Sequence, residues 1–291
     1  MIKQFPCILL GLIVATITSA HAVQTLGYEF NELIPRNLVG DETIPNSGSV
    51  GGDGIFKIGT LGGTGTVVST GVIQGTAYGD VNLGNTLTLT PNAVGNTNLE
   101  APHIETNAAT SLFGFASNKS YTSFAWVNMA SSNGDNTVFG GNSDVATGGK
   151  VLSLGTRGGD LISGQWDDNV GPDEDAIIPV PNNQWHVIAF TNDGTTGTQT
   201  IYLDPGSASE MMASGGTGVF GTFDVAIDLL IGTGGLGGSF SGQLDRITAY
   251  DTLRTPAEIA FAATIPEPVT LVALASGTGL LLMRRRRRSS R

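Results

Sequence analysis

The chain has 291 residues, with 14 basic against 25 acidic side chains (a formal charge of −11), 42 glycines and a single cysteine. That balance argues against nucleic acid and anionic membrane as partners of the folded body, since both present charge of the same sign. One cysteine supports no disulfide framework, and glycine at about twice ordinary usage without a fixed period excludes collagen-like and solenoid architectures.

Residues 1–22 read as a secretory signal peptide. Lys3 gives a positive start, Cys7–Ile17 an apolar core, and Ala20-His21-Ala22 a small-x-small site for cleavage after Ala22. A retained membrane anchor is the competing reading. Cys7 falls inside the removed segment, so the mature chain is exported without any disulfide and depends on packing, and on any bound metal, for stability.

Residues 23–263 form the body. Helical periodicity is nearly absent, and short apolar-alternating runs bounded by Gly, Asn, Asp and Thr recur: Thr64–Ser69, Gly84–Thr90, Tyr121–Met129, Val151–Thr156, Leu161–Trp166, Trp185–Thr191, Thr198–Leu203, Asp228–Gly232 and Gln243–Tyr250. Many short strands with turn signals between them predict an all-β antiparallel sandwich. The centre of the fold is expected at Asn183–Asp204, where Asn192-Asp193-Gly194 and Gly197 join two strand runs into a hairpin. Trp185, Val187, Ala189, Ile201 and Leu203 are expected to supply its core, with Ile201 and Leu203 on one face and Thr200 and Tyr202 on the other. Thr255-Pro256-Ala257-Glu258 is a capping box with proline at the first helical position, predicting one short helix that ends the body.

The chemistry-bearing residues are few. The strand-borne carboxylate pair that a retaining glycosidase needs about 5 Å apart is missing, and Asp173-Glu174-Asp175 sits in a proline-flanked stretch. There is no Gly-x-Ser-x-Gly elbow, His-Glu-x-x-His motif or phosphate-binding glycine loop. Of the histidines, His21 is removed, His186 lies mid-strand, where packing is the expected role, and His103 stands alone. The expectation is a protein that is not an enzyme. Oxygen ligands concentrate in Asp167, Asp168, Asp173 and Asp175, a set suited to Ca2+ in an irregular loop although its spacing is not that of an EF-hand. A solvated acidic loop guarding a sheet edge is the alternative. Asp135 and Asp144 are weaker metal candidates. Trp166, beside Gln165, is the candidate platform for a sugar ring, with packing inside the sandwich as the alternative.

At the other end, residues 264–291 carry Pro266-Glu267-Pro268, the apolar run Val269–Met283, and the cluster Arg284, Arg285, Arg286, Arg287 and Arg288. The run is shorter than the ~20 residues of a comfortable span, but the arginines are a stop-transfer signal. A basic nucleic-acid arm would not account for the apolar run. With both ends removed, Val23–Pro266 holds 7 basic and 24 acidic residues, a formal −17.

This tail resembles the PEP-CTERM sorting signal. The resemblance implies transient membrane insertion through the apolar segment and recognition by an exosortase after export by the secretion machinery. Cleavage near Pro266–Pro268 would then release the body to the cell surface or an extracellular polysaccharide matrix. The body, in turn, is similar to the laminin-G-like domain of the concanavalin A-like lectin/glucanase superfamily. The likeness is carried in order by Leu26–Phe30 with Ile44–Gly48, Tyr121–Val127, Gln184–Phe190, Ile201–Asp204, Phe240–Tyr250 and Leu253–Ile259. Pro45-Asn46 and Pro205 depart from the family pattern, and Thr64–Asn98 fits it poorly. The family implies a jelly-roll of two curved sheets, often with rim-borne calcium. The function expected is carbohydrate binding or adhesion; a passive structural role in the matrix is the alternative, and a glycoside hydrolase is more distant.

Overall fold

The computed structural model describes residues 24–31, 33–49, 52–92, 100–109, 120–131, 135–141, 153–164, 178–215, 228–233 and 238–265. Within them the strands are β1 (Gln24–Tyr28), β2 (Arg36–Asn37), β3 (Glu42–Ile44), β4 (Gly54–Lys57), β5 (Gly63–Thr76), β6 (Gly79–Pro91), β7 (His103–Ala109) and β8 (Tyr121–Met129). There follow β9 (Asp135–Gly141), β10 (Ser153–Arg157), β11 (Asp160–Gly164), β12 (Trp185–Asp193), β13 (Thr198–Leu203), β14 (Met211–Gly215), β15 (Asp228–Ile231), β16 (Gly242–Tyr250) and the helix α1 (Pro256–Thr264). They make an all-β sandwich with one short helix. One sheet runs β14-β13-β12-β8-β16-β6-β5-β2, with β1 also on β16; the other runs β11-β10-β9-β15-β7-β4-β3.

The alternation within each strand decides which sheet face it serves. In β8, Tyr121, Ala125, Val127 and Met129 point between the sheets, while Phe124 and Trp126 point outward. In β12, Ile188 and Phe190 face inward and Trp185, Val187 and Ala189 outward. The predicted single core of the hairpin is therefore corrected: its apolar residues divide between two cores. Ile201 and Leu203 join the inter-sheet core and Tyr202 the outer one, as their alternation predicted. The turn is four residues, with Asp193 paired to Thr198. The Asp193 carboxylate accepts hydrogen bonds from Thr195 N–H and Thr196 Oγ1, and Gly197 takes the left-handed φ of 72°.

An outward apolar face on a soluble sheet must be covered, and two elements cover this one. The α1 side chains Ile259 and Ala263 pack against it, and so do Ile73, Val81 and Leu83 from β5 and β6 and Tyr78 from the turn between them. The latter strands are far longer than the runs Thr64–Ser69 and Gly84–Thr90 suggested. They form one hairpin of 14 and 13 residues with irregular register at Ser69/Gly71 and Ile73/Thr76. Such irregularities bend a strand, and here the tip brings Tyr78 edge-on to Trp126, ring centroids 5.6 Å apart. Sequence patterning missed β1, which only the family resemblance placed, and β2, β3, β4, β7, β9 and β14; β2 and β3 are too short to show a period. The α1 capping box is present as predicted, with Thr255 Oγ1 accepting from Glu258 N–H and Glu258 from Thr255 N–H.

Candidate functional site

The sequence-predicted site residues Gln165, Trp166, Asp167, Asp168, Asp173 and Asp175 lie outside the described residues, as do Asp144, Ala22, Pro266–Pro268 and the arginine cluster. What the structure shows is the described chain on either side of the acidic stretch. It leaves the end of β11 after Gly164, at the edge of the smaller sheet. It returns at Ile178, whose carbonyl accepts from Leu161 N–H at 2.8 Å, while Val180 N–H donates to Gly159 O at 2.9 Å. Ile178 and Val180 are both buried in the inter-sheet core. The described residues on either side of 165–177 are thus bonded to each other beside the edge strand β11. The fallback ligand Asp135 is half-buried and ion-paired with Arg157 at 3.0 Å. Among the described residues no group of three or more His, Cys, Asp and Glu is arranged to hold a metal ion.

His186 and Asp204 form a pair that the sequence read only as separate strand residues. Asp204 Oδ2 lies 2.8 Å from His186 Nδ1, and Oδ1 accepts from Val187 N–H at 3.0 Å. Asp204 N–H donates back to Val187 O at 2.7 Å, and the residue sits at φ 52°. This bidentate use of one carboxylate fastens the start of β12 to the end of β13. His186 Nε2 is buried with no hydrogen-bonding partner among the described residues. The pair is a staple by geometry.

On the outward face of the smaller sheet, β4 and β7 set a row of charge. Lys57 Nζ lies 2.6 Å from Asp41 and 3.7 Å from Glu105, and His103 Nε2 lies 3.7 Å from Glu105. His103 is buried, with Nδ1 2.7 Å from Ala101 O, which makes Nδ1 the protonated nitrogen. Burial holds its pKa below the ordinary value, while the Asp41 hydrogen bond raises that of Lys57. Asp41, Lys57 and the neighbouring pair His103 and Glu105 are 16 to 64 positions apart in sequence, so the tertiary fold brings the three together.

The body's exit is built as carefully. The Ala263 carbonyl, near the end of α1, accepts from Trp126 Nε1–H at 2.8 Å and from the Arg246 guanidinium. Arg246 also donates to Asn82 O at 2.7 Å, from a β-bulge where its own φ is 46°. At the opening of the chain, Asn46 Oδ1 accepts from Gly27 N–H at 3.0 Å and Gly48 N–H at 2.9 Å, so β1 and the turn after β3 are one unit. No helix of the described residues is long and apolar enough to cross a membrane.

The family model of the Concanavalin A-like lectin/glucanases superfamily (Laminin_G_3) matches residues 96–260, more than half of the chain. The chain belongs to this superfamily. The match begins after the long β5–β6 hairpin, the region the sequence had set apart. Among solved structures, this superfamily member is similar to domain 4 of AbnA, a GH43 extracellular arabinanase from Geobacillus stearothermophilus, in complex with arabinotriose. Identity is 20%, coverage is 83% of this chain and 98% of that one, and the TM-score is 0.55. It is also similar to the binding domain of Paraclostridial Mosquitocidal Protein 1 (13% identity, 81% of this chain and 51% of that one, TM-score 0.42). The botulinum neurotoxin serotype D binding domain matches at 10% identity over 83% of this chain and 50% of that one, with a TM-score of 0.45. The chain thus spans about half the length of these two binding domains. At such identities the likeness is one of fold. No curated protein matches the chain in sequence.

Proposed function

We propose that the protein is an exported, non-catalytic carbohydrate-binding or adhesive module of the cell surface or extracellular matrix. The observation that carries this reading is superfamily membership joined to a fold match that spans nearly all of an arabinanase domain in complex with arabinotriose. The non-catalytic part is supported by the histidines. His186 is consumed by its staple to Asp204, and His103 is buried against the Ala101 carbonyl. The ligand would be met at the rim that carries Gln165 and Trp166, with calcium on Asp167, Asp168, Asp173 and Asp175 organising that loop. Sorting would follow the tail: insertion of Val269–Met283, arginines on the cytoplasmic side, and exosortase cleavage near Pro266–Pro268.

Retention of the protein on immobilised neutral and acidic bacterial exopolysaccharides, with calcium and then with EGTA, tests the reading. Retention lost in EGTA is the expected result. Passage through every column in both buffers would overturn carbohydrate binding and leave a passive matrix component.

A further inference from the structure

The last turn of α1 exposes an aromatic ring that packs into neither core cluster of the described residues. Phe261 is 68% exposed, on the same helix that buries Ile259 and Ala263 completely. Ala257, one turn earlier on the same side, is also exposed. Elsewhere α1 uses its apolar residues to cover the outer face of the larger sheet, so the ring at 261 is surplus to that packing.

Its position relative to the tail gives it an occupant. From Ile265 to Val269 there are four residue steps, which span at most about 14 Å when fully extended. The polar interface on one side of a bilayer is only about 5–8 Å deep. The apolar run Val269–Met283 would be roughly 22 Å long as a helix, against a hydrocarbon core of about 30 Å. Such a mismatch draws the flanking residues toward the membrane instead of letting them stand off it. The helix cannot unwind cheaply to supply slack. Its Ala263 carbonyl is held by Trp126 and Arg246, and Arg246 is itself tied to Asn82 on β6. The charges beside it are internally matched, with Arg254 placed 3.5 Å from Glu258 and over the Tyr250 ring.

We propose that, before processing, the end of α1 is a foot that rests on the bilayer, with the Phe261 ring in the interfacial layer. The body is thereby held in one orientation with Pro266-Glu267-Pro268 at the membrane surface. This rests on the reading of the tail as a membrane segment. The partner is a phospholipid surface met through an aromatic side chain, the way aromatic residues anchor at membrane interfaces.

The experiment uses the full chain in phosphatidylcholine vesicles whose lipids carry bromine either near the headgroup or deep in the acyl chains. A Phe261→Trp variant adds an indole at the site, and the wild type gives the background of its own tryptophans. Flotation with the vesicles reports the tail independently. The expected result is flotation of both proteins, with the added emission of the variant quenched by shallow bromine and much less by deep bromine. A flexible ten-residue Gly/Ser insertion between Ile265 and Pro266 should abolish that quenching and leave flotation unchanged. Flotation without quenching would overturn the foot and leave the tail reading intact. Absence of flotation would overturn both. A Phe261-dependent dimer in sedimentation, without quenching, would assign the ring to a second copy of the chain.

Discussion

Asp204 shows how much a single carboxylate can hold. It accepts from a ring nitrogen and a backbone N–H while sitting at φ 52°, a region that Asn and Asp enter more readily than other side chains. Asp204→Ala would leave two buried donors unpaired and put a residue that enters this backbone region less readily at φ 52°, at an expected cost of about 2–4 kcal/mol. Asp204→Asn keeps an acceptor and tolerates the dihedral, so its loss should be clearly smaller in urea denaturation. Equal losses would refute the staple. His103 offers a test by pH. Because burial depresses its pKa in the folded state, the unfolded chain takes up a proton near the ordinary value of about 6.5 before the native state does. The stability that the neutral ring permits is therefore complete above about pH 6.5, and is lost as pH falls from there toward the lower folded value. Glu105, which favours the charged ring, and Lys57, which opposes it, are the facing charges. Melting temperatures from pH 8 to pH 5 should fall more steeply for the wild type than for His103→Gln. Parallel curves would show that burial does not hold the ring neutral.

At the scale of elements, α1 is the one helix among the described residues, and it is fixed at both ends by different means. Its start is a local device: Thr255 and Glu258 satisfy each other's backbone N–H, which holds the Glu258 carboxyl below the usual range. Thr255→Ala should cost about 1 kcal/mol in denaturant unfolding, and no change would mean that packing alone holds the helix. Its end is a tertiary device, since Trp126 is 137 residues from the carbonyl it caps. The β5–β6 hairpin shows the same division. Its two strands pair through local register, but its tip is placed by Tyr78, which meets the Trp126 ring and donates its hydroxyl to Pro205 O at 2.9 Å.

Among the described residues, the larger sheet of the sandwich packs on part of its outer face as well as on its inner one, through Ile259 and Ala263 of α1 and residues of the β5–β6 hairpin. The acidic stretch proposed for calcium is the site to perturb. Asp173→Ala with Asp175→Ala should abolish any rise in melting temperature that calcium gives the wild type. An unchanged calcium response would remove that loop as the metal site.

The sequence by itself determined the elements whose code is local. β8 and β13 were legible to the residue, because strands buried on both faces leave runs of apolar and aromatic residues with sharp ends. The capping box and the ordered superfamily segments were legible because their codes are local as well. Which face each residue serves, and what covers it, was decided by the tertiary structure alone. Trp185 and Ile188 lie in one strand yet enter different cores; His186 finds Asp204 across a hairpin; Arg246 reaches Asn82 across 164 residues. Periodicity fixes a side chain's face relative to its neighbours two residues away, but which layer lies over that face depends on how distant strands close the sheets.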